Sequence, residues 1–130
     1  MSETKSKCLG HSLVMDDDPL ICKTIKSLLH RLGFCSTLVE NGEDCVNHFV
    51  QAKKDKNPFN FVILDFLIPN GMNGQETLEK IRQIDPNAKI ILSSGYKKDI
   101  LENYKKLGFN GLLEKPYTIF DLKQAISNIE

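Results

Sequence analysis

The chain has 130 residues, 41% of them hydrophobic and 26% charged, and these fractions predict one globular domain. Lysine plus arginine balances aspartate plus glutamate at 17 each, so no net field favours a nucleic acid or an anionic membrane as partner. No apolar run approaches the roughly 20 residues that span a bilayer, and the polar N-terminus lacks the apolar segment of a secretory signal. We therefore expect a cytoplasmic protein with a flexible tail over residues 1–9 and one folded domain over residues 10–130.

Four cysteines are spread over the first half of the chain without a Cys-x-x-Cys pair or a zinc-like spacing to the histidines. We expect all of them to be small apolar fillers that stay reduced: Cys8, Cys22, Cys35 and Cys45.

Strand and helix patterns alternate five times along the chain. Apolar runs predict strands at 13–15, 34–40, 61–64, 89–92 and 112–113, and the partly polar second run indicates a sheet edge. Helical spacing and capping residues predict helices that begin near Asp18-Pro19, Gly42, Asn73, Lys98 and Thr118. Such alternation implies right-handed crossovers and helices on both faces of one parallel sheet. The prediction is therefore an α/β, doubly wound (βα)5 fold.

Polar side chains follow four of these strands at the point where each strand ends. Asp16 and Asp17 follow the first strand, Asp65 closes the third, and Ser93 and Lys115 follow the fourth and fifth. Open α/β sheets bind ligands at the carboxyl ends of their strands. Only the flavodoxin-like order 2-1-3-4-5 brings Asp16 and Asp17 beside Asp65, so the acids favour that order.

These residues predict a site for a divalent cation and a phosphoryl group. Clustered carboxylates repel each other, and hard oxygen ligands on one side of a crevice suit Mg²⁺. Lys115 and Ser93 can contact oxygens of a transferring phosphoryl group, and Asp65 can act as the nucleophile that forms an aspartyl phosphate. Each residue alone is more often a turn or cap residue, as Asp18 before Pro19 is; the combination carries the prediction.

The chain resembles the receiver domains of two-component response regulators and hybrid histidine kinases. The resemblance covers residues 10–129 and lies in four motifs: Val14-Met15-Asp16-Asp17-Asp18-Pro19, Val62-Ile63-Leu64-Asp65 with Pro69, Leu92-Ser93-Ser94-Gly95-Tyr96 and Lys115-Pro116-Tyr117. It implies a phosphorelay module in which Asp65 takes a phosphoryl group from a phosphohistidine of a sensor histidine kinase or histidine phosphotransfer protein.

The resemblance also assigns the other roles. Mg²⁺ would be held by Asp16, Asp17, Asp65 and the backbone carbonyl of Leu67, while Ser93 and Lys115 would contact the phosphoryl group. A downstream protein would then be contacted through the face made by the fourth helix, fifth strand and fifth helix. The domain would catalyse only its own phosphorylation and dephosphorylation and would not otherwise be an enzyme.

Some positions depart from the family pattern and leave alternatives open. Ser93 stands where Thr is more frequent, Asn73 where Asp is common, and Leu112 where a switching aromatic residue often lies. One alternative is a pseudo-receiver that acts only as an interaction surface. Another is a Mg²⁺-dependent aspartyl-phosphate phosphatase or phosphotransferase, whose haloacid-dehalogenase type needs a second Asp at the position of Leu67.

Overall fold

Five parallel strands form one sheet in the order β2-β1-β3-β4-β5, as the sequence predicts. The computed structural model describes residues 8–66, 72–95 and 102–129. The strands are β1 (Gly10–Met15), β2 (Phe34–Val39), β3 (Phe61–Asp65), β4 (Ile90–Ser94) and β5 (Gly111–Glu114). The partly polar β2 is an edge strand and the wholly apolar run of β3 is central, so burial on both faces explains the lack of polar alternation.

The helices of the described residues are α1 (Pro19–Arg31), α2 (Gly42–Lys54), α3 (Gly74–Ile84) and α4 (Ile119–Ile129). Their starts follow local capping chemistry. The Asp18 side chain accepts from Leu20 N at 2.9 Å, and Asn73 forms a capping box with Glu76. Thr118 N donates to Asp121 Oδ2 at 2.9 Å, and Asp121 N donates to Thr118 Oγ1 at 3.2 Å, as their spacing of three residues predicts. None of these helices is long and apolar enough to cross a bilayer.

The helices cover both faces of the sheet, and each face has its own apolar core. The pleat of β3 divides its side chains between them: Val62 and Leu64 pack with α2 and α3, while Phe61 and Ile63 pack with α1 and α4. This layering places the five strand ends, and the polar residues there, at one edge of the sheet between the helix starts.

The two strands that carry Asp65 and Ser93 extend beyond their predicted ends. Asp65 is the last residue of β3, and Ser93 lies inside β4, which runs to Ser94 and so extends two residues beyond the predicted end. The ladder explains the longer strand, because Asp65 pairs with Ser93 and Ser94 pairs with Glu114. Both side chains are consequently held by a regular strand rather than by a loop.

The predicted helix over 98–107 lies partly outside the described residues. Within the described part, residues 102 and 103 are helical and a turn follows. The prediction that this helix reaches residue 107 is therefore wrong for residues 104–107, and Gly108 ends the turn with φ of +108°, a conformation that favours glycine.

The start of the chain differs from expectation at Cys8 and Leu9. Residues 1–7 of the predicted tail lie outside the described residues, but Cys8 forms a disulfide with Cys35 of β2, with 5.6 Å between their Cα atoms. Leu9 N also donates to Gly33 O at 2.6 Å. The expectation that all four cysteines stay reduced is therefore wrong for this pair, because strand pairing brings two distant positions together; Cys22 and Cys45 are free thiols.

Candidate functional site

The predicted site residues that the structure describes lie together at one edge of the sheet. Asp16 directly follows β1, Asp65 ends β3, and Ser93 is the ladder partner of Asp65 in β4. Lys115 directly follows β5, and its backbone N–H donates to Ser94 O at 2.8 Å. Sheet register thus gathers residues that are far apart in sequence.

Lys115 bridges two of the carboxylates. Its Nζ lies 2.9 Å from Asp16 Oδ2 and 3.4 Å from Asp65 Oδ1. Burial alone would lower the pKa of Lys115, but the hydrogen bond to Asp16 and the charges of Asp65 and Asp16 outweigh it, so the pKa is raised. The ammonium group is therefore a fixed positive charge in the crevice.

The surroundings of Asp65 disfavour the ionised form of its carboxyl group. Burial raises its pKa to about 6, with a further contribution from the negative charge of Asp16, and Lys115 opposes that rise. Its exposed fraction is 7%, which leaves a small opening towards solvent. A carboxylate that is costly to ionise and partly accessible is a group that gains from a cation or from covalent change.

Three carboxylates fit the binding of a hard divalent cation. Ligand oxygens of Asp16, Asp17 and Asp65 all lie within 4.8 Å of one another, and Asp17 is exposed to solvent while the other two are buried. One open side with carboxylate oxygens suits Mg²⁺, which keeps several waters. The predicted fourth contributor, the carbonyl of Leu67, lies outside the described residues.

Ser93 carries a hydroxyl that lacks a partner. The residue is 2% exposed, and its Oγ makes no hydrogen bond to any residue that the structure describes. A buried hydroxyl without a partner costs roughly 1–3 kcal/mol, so native structures rarely keep one without a reason. Its position opposite Asp65 in the ladder gives such a reason, because a group attached to Asp65 could accept this hydrogen bond.

The first loop of the site is fixed by its own hydrogen bonds. Asp18 N donates to Asp16 Oδ1 at 2.9 Å, and the Cys22 thiol of α1 donates to Asp16 O at 3.2 Å. Burial raises the pKa of Cys22, and the carboxylates around it raise it further, so this thiol stays protonated. Asp18 acts as the cap of α1, as the sequence predicts, which leaves Asp16 and Asp17 for the site.

Sequence reasoning missed one residue that positions the site. A Cβ on Gly74, the first residue of α3, would lie 2.6 Å from Asp65 O and 2.9 Å from Phe66 Cα. The absence of a side chain lets α3 begin directly against the backbone of Asp65, where Gly74 N donates to Phe66 O at 3.2 Å. A glycine just after the Asn73 cap is the signal that could have indicated such close approach.

The comparisons with known proteins agree with this geometry. The family model of the response regulator receiver domain matches residues 13–127. The chemotaxis protein CheY-3 of Vibrio cholerae is 30% identical over 121 residues, which cover 90% of this chain and 88% of that protein. The probable transcriptional regulator ycf29 of Porphyra purpurea is 32% identical over 121 residues, or 90% of this chain, and the chain spans 54% of that protein.

Among solved structures, a response regulator receiver domain protein from Clostridium thermocellum superimposes with a TM-score of 0.80 at 30% identity. That match covers 93% of this chain and 94% of the other. The fold and the site thus define a phosphoacceptor signalling module of the flavodoxin-like class. The chain belongs to the response regulator receiver domain family, and such domains are signalling modules of two-component systems.

Proposed function

We propose that Asp65 is the phosphoacceptor of this receiver domain. The observation that carries the proposal is the arrangement around its carboxylate: Lys115 Nζ at 3.4 Å on one side and the unpartnered Ser93 hydroxyl on the neighbouring strand. A cationic donor and a free hydroxyl donor are the groups that stabilise charge on phosphoryl oxygens.

The reaction we propose transfers a phosphoryl group from a phosphohistidine of a sensor histidine kinase or histidine phosphotransfer protein. A carboxylate oxygen of Asp65 attacks phosphorus in line, the N–P bond breaks, and the imidazole nitrogen leaves with the bonding pair and is then protonated. Lys115 and Ser93 bind oxygens of the transferred group. Mg²⁺, held by Asp16, Asp17, Asp65 and the carbonyl of Leu67, would neutralise charge on the phosphoryl oxygens. The domain catalyses no reaction beyond its own phosphorylation and dephosphorylation.

Two exposed apolar side chains support docking of the phosphodonor beside the site. Leu20 in the first turn of α1 is 71% exposed, and Phe120 in the first turn of α4 is 67% exposed. The two helices pack against each other, and they begin next to Asp16 and Lys115 respectively. Exposed large apolar groups around a polar centre are a feature of transient protein interfaces.

The downstream partner in this proposal is a protein that contacts the face of the 98–107 segment, β5 and α4. Leu112 of β5 is half-buried and packs against the apolar core on the side of α2 and α3. Because Lys115 lies three residues later, movement of Lys115 towards a phosphoryl group on Asp65 can repack this face. We also propose that the protein acts in the cytoplasm, where the kinases and phosphotransfer proteins of such relays present their phosphohistidines.

The direct test is the intact mass after incubation with acetyl phosphate and Mg²⁺. We expect a gain of one phosphoryl group in the wild type, and no gain in Asp65→Asn or in the presence of a chelator. Asp55→Asn, an exposed carboxylate at the end of α2, is the matched control and should behave as the wild type. Failure of the folded wild type to gain mass would contradict the proposal and favour a pseudo-receiver.

A further inference from the structure

A groove of about 1200 Å³ lies beside residues 34–37 of the edge strand β2, between α1 and the segments at the start of β1 and before β3. The hydrogen bonds between β1 and β2 show which main-chain groups of β2 face away from the sheet. Val39 O accepts from Asp16 N at 3.0 Å, so Val39 and every second residue before it turn their main-chain groups towards β1. The N–H and C=O groups of Phe34, Ser36 and Leu38 consequently point out of the sheet, at the position of a further strand.

Within the part of the chain that the structure describes, the sequence of β2 lacks the residues that normally protect an edge strand. The sequence of β2 is Phe-Cys-Ser-Thr-Leu-Val, with no charged residue and no proline over six residues. Proteins usually block such edges with lysine, proline or a bulge because a free edge pairs with other chains. The other edge strand, β5, has four residues and ends in the exposed Glu114.

The charged residues that line the groove are lysines, and they lie on one wall. Lys23, Lys26 and His30 of α1 lie on one helix face along it, and the described residues that line the groove include no aspartate or glutamate. The ion pairs of the described residues do not involve Lys23 or Lys26, and both side chains are exposed. The opposite wall is uncharged and includes Thr37, Asn57 and Pro58.

From these features we propose that the β2 edge binds an extended, acidic segment of a partner protein, which adds to the sheet as a sixth strand. Main-chain hydrogen bonds to Phe34, Ser36 and Leu38 provide the pairing, as in other cases of strand addition. Because side chains alternate along a strand, carboxylates at every second position of the segment face Lys23, Lys26 and His30, and the residues between them face the uncharged wall.

The charge of the groove selects this occupant over two others. A second copy of the chain would bring two sets of α1 lysines together, and like charges across an interface oppose pairing. An anionic lipid surface would meet the lysines but would leave the outward N–H and C=O groups of β2 without partners. An acidic extended peptide satisfies both the charges and the strand edge.

The test is selection from a display library of random twelve-residue peptides on the full chain, followed by fluorescence anisotropy with the selected peptides. We expect peptides with Asp or Glu at alternate positions among β-forming residues. Their affinity should fall at least tenfold for Lys23→Glu/Lys26→Glu. The matched control, Lys80→Glu/Lys123→Glu, changes the charge equally on exposed positions of α3 and α4 and should keep the wild-type affinity.

A second variant tests the main-chain pairing without a change in charge. Ser36→Pro removes one outward N–H, which an edge strand tolerates, while Ser36→Thr keeps it. Binding should be lost in the first and kept in the second, with unchanged circular dichroism and mass gain from acetyl phosphate in both.

Absence of selected peptides, or equal binding by the lysine variants, would overturn the proposal. Dimerisation abolished by Ser36→Pro, or lysine-dependent binding to phosphatidylserine vesicles without peptide binding, would also overturn it and assign the edge to a second copy or to a membrane.

Discussion

Lys115 Nζ lies 2.9 Å from Asp16 Oδ2, although 99 residues separate the two in sequence. This is the shortest of the contacts that join Lys115 to the carboxylates, and Asp16 is 2% exposed. A buried carboxylate must be paired or bind a cation, so the lysine supplies the positive charge in the metal-free protein. The same carboxylate belongs to the cluster that fits Mg²⁺, so we expect the two cations to compete for it.

Lys115→Met should bind Mg²⁺ more tightly than the wild type and accept a phosphoryl group more slowly. Removal of a positive charge a few ångströms from the cluster relieves repulsion worth roughly 1–2 kcal/mol at partly solvated sites, or about five- to thirtyfold in affinity. Isothermal titration with MgCl₂ measures the affinity, and intact mass over time measures the transfer. Lys115→Arg keeps the charge and should show a wild-type affinity. Weaker Mg²⁺ binding in Lys115→Met would contradict the competition.

Ser93→Ala should leave the fold intact and slow the uptake of a phosphoryl group. The hydroxyl has no hydrogen bond to lose in the unphosphorylated protein, so the urea midpoint should stay the same or rise. A hydrogen bond to a charged phosphoryl oxygen is worth about 1.5–3 kcal/mol, which corresponds to a transfer from acetyl phosphate that is roughly 10- to 150-fold slower. Ser93→Thr keeps the hydroxyl and should retain most of the rate. A large loss of stability in Ser93→Ala would show that the hydroxyl has a structural role instead.

Gly74→Ala should destabilise the protein and impair phosphorylation, even though alanine favours a helix. The new Cβ would lie 2.6 Å from Asp65 O, and backbone atoms on both sides must move. Such overpacking costs roughly 1–3 kcal/mol. Gly95→Ala is the matched control, because its Cβ would have no neighbour within 4 Å among the described residues and Gly95 also lies close to the site. Urea unfolding of both variants, with the mass gain from acetyl phosphate, measures the difference; equal stabilities would disprove the close-approach argument.

The sequence predicted the parts of the site that depend on strand ends. The strand order and the convergence of Asp16, Asp65, Ser93 and Lys115 follow from apolar runs that stop at polar residues, and parallel strands bring such stops to one edge. Helix starts at Asp18 and Asn73 were also predictable, because capping is a local interaction.

The features that the sequence did not predict depend on contacts between distant segments. The Cys8–Cys35 bridge requires the register of β1 against β2, which no spacing of cysteines reveals. The contact of Gly74 with Asp65 O depends on how α3 packs at the end of β3, and the charge of the β2 groove depends on which face of α1 borders the edge. Local patterns carry no information on these approaches.

Asp65→Asn should stabilise the metal-free protein near neutral pH. The pKa of Asp65 is about 6 in the folded state against 3.8 for an ordinary Asp, so the folded protein binds this proton more tightly than the unfolded chain does. Stability then falls as pH rises from about 4 to about 6, and the full penalty remains above pH 6. At about 1.4 kcal/mol per pH unit, the penalty is roughly 1–3 kcal/mol. Asn carries no charge, so its variant should lack this decline and exceed the wild type by that amount at pH 7.5. Urea unfolding with a chelator at pH 4, 5, 6 and 7.5 measures both curves, with Asp55→Asn as the exposed control; parallel curves for Asp65→Asn and the wild type would refute the raised pKa.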